Sequence, residues 1–506
     1  MKRFGWVAVA ILVAIGLVGT IRTWRVTSRQ PEPAPAMDPP APAIDLAATL
    51  AEALQYKTVS YDEAPPDPEE QARAFDSFHA FLRTSFPRTL VMAERIAGHS
   101  LLVTLGATPA ATIDGAAPLG GARRGGGPGG GAAPRGASLL YAHLDVVPAS
   151  AEGWRADPFG GTRDGDAIIG RGALDDKGSV IAILAATESL LASGWTPARP
   201  VYLAFGDNEE AGGSSAAAIA ARLRDQGVQL DSILDEGGAV VDKGIPGLGG
   251  RPIAAVAIAE KGVMNVEICA AAAPGHSSTP PPTTAVGTLS AAIARLEEHP
   301  PARSLNPLVR ETLTYAAAEM SVGYRALMAN LWLTAPLIRS QIEKDHVARA
   351  QLGTSQAVTM VRGGVKSNVL PERACATVNY RLFPGDTREL VLGRIASITK
   401  GLEVQASASP PVLPPAPSNL DSAAGRLLGS TIRAHFPDAV IVPVVAPGAT
   451  DSRHFGGIAA QIFRFLPVHL SSEDLASVHG VNERISTASL TRAYAFYVAY
   501  LRAIGR

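Results

Sequence analysis

A chain of 506 residues is longer than one ordinary domain, and 47% hydrophobic content with 18% charged residues is enough to build buried cores. The formal net charge of -1 gives no electrostatic reason to expect nucleic acid as a partner. Two cysteines, Cys269 and Cys375, form no C-x-x-C pair, so they read as small core residues and not as a redox centre or a structural disulfide.

The chain opens with Lys2 and Arg3 ahead of an apolar run over residues 4–21, closed by Arg22 and Arg25. Roughly 17–25 helical residues cross a bilayer. No convincing small-x-small cleavage site follows, so residues 1–25 are expected to be a membrane anchor, with a cleaved signal segment as the alternative. Either way the body should lie outside the cytoplasm, periplasmic or extracellular. Residues 26–44 are rich in Pro and Ala and predict an extended linker that holds the body away from the membrane.

From residue 45 a first catalytic layer is expected to run to 261. SLLYAHLDVV, RPVYLAFGDNEE and DSILDEGG are strand-like, and KGSVIAILAATESLLAS and SSAAAIAARLRDQG are helical. Alternation of this kind with continuous apolar strands predicts an α/β fold built on a mainly parallel sheet. A Gly-rich insert at 115–136 has no G-K-[ST] and no helix after it; it reads as a disordered surface loop, not a phosphate loop. Past residue 261 the texture changes to strands, a broken helical stretch over 301–348, two more strands, a helix and a strand. Residues 262–410 therefore predict an inserted α+β unit, after which the catalytic layer resumes over 411–506.

Parallel sheets place their sites at the carboxyl ends of the strands, and each acid cluster falls where a strand stops. His143 and Asp145 share one side of an extended chain. Asp175 and Asp176 follow at a Gly-bounded turn, then Glu209-Glu210, Asp235-Glu236, and much later His479. Taken singly, each has an ordinary structural role, since an Asp at a Gly turn is usually a turn former. Together, histidines and acids on five separate loops suit N/O ligation of zinc-like ions.

The ordered motifs HLD, GRGALDDKG, NEEAGG, DEGG, PGHSS, GATDSRHF and VHGVNE resemble the co-catalytic zinc peptidases, the family of carboxypeptidase S, aminoacylases, carnosinases and succinyl-diaminopimelate desuccinylases. The resemblance runs from about residue 45 to the C-terminus, outside the Gly-rich insert. It is closest to the carboxypeptidase S and N-fatty-acyl-amino-acid hydrolase branch. It implies two zinc ions per subunit, with Co2+ or Mn2+ as alternatives. Asp175 would bridge them, His143 and Asp235 would complete one site, and Glu210 and His479 the other. Glu209 would be the general base and Asp145 would orient His143. The inserted unit would be a lid and homodimerisation domain. From it, His276 would stabilise the oxyanion, and Asn368 and Arg381 would hold the substrate carboxylate and backbone. Gly448 and Thr450 would form a carboxylate-binding loop. One departure is Asn208, where the branch usually has Asp before the Glu pair.

The function expected on these grounds is hydrolysis of the amide bond next to a C-terminal carboxylate in peptides or N-acyl amino acids. A zinc aminopeptidase or dipeptidase is the alternative within the class, and a non-catalytic binding protein on the same scaffold is the alternative outside it. Biosynthetic desuccinylation is disfavoured, because that work is cytoplasmic and this chain carries an export segment.

Overall fold

The computed structural model describes residues 2–61, 63–106, 136–242 and 245–506; apart from Gly136, the Gly-rich insert expected at 115–136 lies outside them. The apolar N-terminal run forms helix α1 (Lys2–Trp24), with Leu17, Ile21 and Trp24 exposed. Among the described residues no helix is long and apolar enough to cross a membrane, so the spanning role expected of residues 1–25 is without structural support. The helix lies against the body instead, where the Asn330 amide donates to the Gly19 carbonyl at 3.2 Å.

In chain order the catalytic layer contributes β1 (Ala93–Ile96), β2 (Ser100–Leu105), β3 (Ala137–His143), helix α2 (Lys177–Ala192), β4 (Val201–Gly206), helix α3 (Ser214–Asp225), β5 (Leu230–Asp235), β6 (Val240–Val241) and β7 (Ile253–Glu260). The inserted unit follows with β8 (Gly262–Ala271), helix α4 (Ala285–Glu298), β9 (Ser355–Gly363), β10 (Arg373–Leu382), helix α5 (Arg388–Ile398) and β11 (Val404–Ala408). Helix α6 (Ala423–His435), β12 (Val440–Ala446), β13 (Ile462–Arg464), β14 (His469–Leu470) and helix α7 (Thr487–Ile504) return to the first layer.

Among the described residues the large sheet has the order β1-β2-β4-β3-β5-β13-β7-β6-β14, with β12 beside β7. Its centre is parallel through β4, β3, β5 and β13. The reason is visible in single strands, where Leu140 and Ala142 enter one core cluster while Leu139 and Tyr141 enter another. Side chains alternate across the sheet, so a strand buried on both faces reads as continuously apolar. Helices α2 and α7 cover the first face and α3 the second.

The inserted unit has its own antiparallel sheet, β9-β10-β8-β11. Here β10 alternates buried and half-buried positions, and its buried face packs on Leu289 and Leu296 of α4 and Ile395 of α5. One sequence expectation fails in this sheet. Cys269 and Cys375 stand directly opposite each other on β8 and β10 and are joined as a disulfide. Their separation of 106 residues hid the pairing, because only the register of the two strands makes them neighbours.

The segment at 26–44 has contacts of its own. It is extended, but it is bound along the body and does not hang free. The Gln30 side chain pairs both ways with the Ile441 backbone, donating at 2.9 Å and accepting at 2.8 Å. The Ala34 amide donates to the Ser430 carbonyl and the Tyr494 hydroxyl to the Pro40 carbonyl. Ile441 sits on β12, which pairs only with β7 among the described residues, and a free strand edge leaves donors and acceptors to be satisfied.

Candidate metal centre

The sheet delivers the site as its topology requires. His143 is the last residue of β3, the Glu209–Glu210 turn follows β4, and Asp235 ends β5, so three parallel strands bring their carboxyl ends together. Asp175 enters on the turn before α2, and His479 on a loop ahead of α7, where it holds a backbone φ of 58°. A non-glycine residue in that region is uncommon and signals a constraint imposed by its surroundings.

Asp175 lies between the two histidines. Its Oδ1 is 2.8 Å from His143 Nε2 and its Oδ2 is 3.0 Å from His479 Nε2. Glu210 Oε1 is 3.0 Å from the same His479 nitrogen. Burial opposes ionisation of Asp175, but the hydrogen bonds from His143 and His479 hold its carboxyl well below the usual range. The Asp175 and Glu210 carboxylates in turn raise His479 to about 10.

Asp145 touches both His143 and the acid pair. Its carboxylate lies 3.2 Å from His143 Nδ1, and its two oxygens accept the backbone amides of Glu209 and Glu210 at 3.1 and 3.2 Å. One buried carboxylate thus fixes both the histidine and the acid pair. Burial pushes the Glu209 carboxyl upward, and the neighbouring charges of Asp451, Asp175 and Glu210 add to the rise against the pull of His143. A carboxylate with raised basicity is suited to moving protons near neutral pH.

Two adjacent acids stand at the end of β5. The oxygens of Asp235 accept the backbone amides of Glu236 at 2.9 Å and of Ser452 at 3.1 Å. Glu236 also faces the cluster, with Oε1 3.5 Å from His143 Nε2.

Ligand atoms in three overlapping triads, His143-Glu209-Glu210, His143-Asp175-Glu236 and Asp175-Glu210-His479, each lie within 4.8 Å of one another. Four carboxylates crowded with two imidazoles in a largely buried space repel one another, and burial together with Asp175 pushes Glu236 well upward. Cations would relieve that repulsion, and the N/O donor set suits zinc-like ions.

The remaining expected residues fall into two groups. Thr450 is buried beside the site; its amide and hydroxyl face Glu260, and Arg464 Nε donates to its hydroxyl at 2.9 Å. Gly448, two residues earlier, is exposed, and its α-carbon faces open space. In the inserted unit His276 pairs with Val369 across a short ladder, and the Asn368 carbonyl accepts from the Ser277 amide. Both residues are exposed, and His276 Nδ1 is engaged by Ser278. Arg381 on β10 bonds Asn379 at 3.2 Å. None of these contacts of His276, Asn368 or Arg381 reaches the acid cluster.

Residues 139–503 match the family model described as Peptidase family M20/M25/M40. The chain belongs to this peptidase family. The human N-fatty-acyl-amino acid synthase/hydrolase PM20D1 is 41% identical over 353 residues, 69% of this chain and 70% of the human protein. The probable carboxypeptidase S-like 2 of Dictyostelium discoideum is 34% identical over 504 residues, covering 96% and 91%. The M20 metallo-carboxypeptidase Sso-CP2 of Sulfolobus solfataricus has the same fold, with a TM-score of 0.60 at 19% identity over 91% of this chain and 99% of the other. Human carnosine dipeptidase 1 does too, with 0.59 at 17% over 91% and 96%. The M20 chain is a metal-dependent hydrolase, and its inserted unit corresponds to the dimerisation domain of that fold.

Proposed function

We propose that this M20 enzyme binds two zinc ions and hydrolyses the amide bond next to a free carboxylate, in N-acyl amino acids or short peptides. The observation that carries the reading is Asp175 held between His143 and His479, with Glu209 fixed beside it by Asp145. The substrate class is supported by the names of the relatives, an N-fatty-acyl-amino acid hydrolase and a carboxypeptidase S-like protein.

Asp175 would serve both metal positions. His143 and Glu236 would hold one of them, and Glu210 and His479 the other. Bound metal ions supply a polarised scissile carbonyl and a more acidic attacking water. Glu209 accepts the proton from that water and returns it to the leaving amine nitrogen. Thr450, braced by Glu260, and exposed Gly448 offer a loop for the substrate carboxylate. His276, Asn368 and Arg381 complete the site from the inserted unit, supplied by the second subunit of a homodimer.

The enzyme works outside the cytoplasm on this reading. The basic-flanked apolar α1 and the Cys269–Cys375 bridge support it, since disulfides persist in oxidising compartments.

The test is amine release from N-acyl amino acids and dipeptides, with and without chelator, and with the substrate carboxylate free or amidated. Chelator-sensitive release that falls when the carboxylate is amidated is expected. No release from any substrate sinks the proposal. Indifference to amidation turns it toward an aminopeptidase.

A further inference from the structure

Glu483 has no part in the chemistry described so far, yet it is fully buried four residues beyond His479. Its Oε1 accepts two backbone amides, from Leu174 at 2.8 Å and from Asp175 at 3.1 Å. Its Oε2 pairs with Arg171 at 2.5 Å, and the other arm of that guanidinium donates to the Gly480 carbonyl at 2.9 Å. The Gly170 amide closes the ring by donating to the Glu483 carbonyl. Two loops far apart in sequence are therefore clamped by one carboxylate and its arginine. One loop carries Asp175 and the other carries His479.

The geometry points to Glu483 as the positioning residue that sets the separation of Asp175 and His479, and so the affinity of the site for its metal. The argument is one of distance. Asp175 reaches His479 at 3.0 Å only if the backbone of residue 175 stays where Glu483 holds it. His479, at φ 58°, sits in the left-handed region, and the Gly170 bond to the Glu483 carbonyl ties its loop to that of Asp175 in parent and variants alike. The accepting oxygen does the positioning, while the ion pair with Arg171 keeps a buried charge compensated. Outer partners of this kind typically change metal affinity by about 10–100-fold when removed.

The inference rests on the metal reading of the site, and two variants separate the two oxygens' roles. Glu483→Asp keeps the charge but draws the acceptor back from the amides. The double variant Glu483→Gln with Arg171→Met keeps an acceptor and removes both charges. Each metal-depleted protein is titrated with zinc by calorimetry, and its fold is followed by circular dichroism and thermal melting. E483D is expected to fold and to bind zinc about 10-fold or more weakly, while the double variant stays within about 3-fold of the parent. Parent-like affinity in E483D, the reverse order of the two variants, or failure of E483D to fold overturns the inference. Failure of the parent itself to take up zinc overturns instead the metal reading beneath it.

Discussion

At the scale of single residues the site divides into groups that move protons, groups that hold metal and groups that hold the loops. Glu209→Gln keeps the shape and removes the base, so turnover should fall about 100- to 10,000-fold while zinc uptake is unchanged; rate assays beside metal analysis check this. The neighbours Asp235 and Glu236 should separate in the same assays. Glu236→Gln is expected to weaken metal binding. Asp235→Asn spoils an acceptor of the Ser452 amide and should raise KM more than it lowers zinc affinity. Away from the site, His79 is buried, and burial with the nearby Arg95 charge lowers it to about 4. A histidine held neutral contributes stability above its unfolded value near 6.5, and that contribution is lost as pH falls toward 4. Thermal midpoints between pH 6.5 and 4 should therefore drop more steeply in the parent than in His79→Gln. His143, Asp175, Glu209, Glu210 and His479 meet in one cluster, because each sits at a strand end or a marked turn. The contact of Asp235 with the Ser452 amide was not legible, since the two residues are brought together only by the fold.

At the scale of elements the parallel sheet was readable because continuous apolar strands alternate with helices. The disulfide was not, because it depends on the register of β8 against β10 across 106 residues of chain. Closing a loop of that length restricts the unfolded chain, by about 5 kcal/mol on chain-entropy grounds. Replacing both cysteines with alanine is expected to lower the melting temperature while the zinc affinity of the catalytic layer is kept, as calorimetry can follow. The contacts of the N-terminal segment were out of reach for a related reason. Its Pro-rich composition announces an extended chain but not the free edge of β12, to which Gln30 binds.

At the scale of the molecule the two units join at adjacent buried charges. Glu260 ends β7 and, with Arg464, braces Thr450. Next to it, Lys261 donates to the Gly353 carbonyl at 2.8 Å, inside the inserted segment. Removing the brace with Glu260→Gln should raise KM for carboxylate substrates more than it changes kcat, read from steady-state kinetics. The crowded acids make a second whole-molecule expectation. Chelation should lower the thermal midpoint and added zinc should restore it, because a ligand that binds only the folded state stabilises it. The strap formed by residues 28–40 makes the body independent of the helix that precedes it. A peptidase cutting near Arg25 would detach the apolar helix but leave Gln30 and Ala34 bonded to the body. A chain shortened there would keep its strap in place, and its catalytic layer would need no refolding.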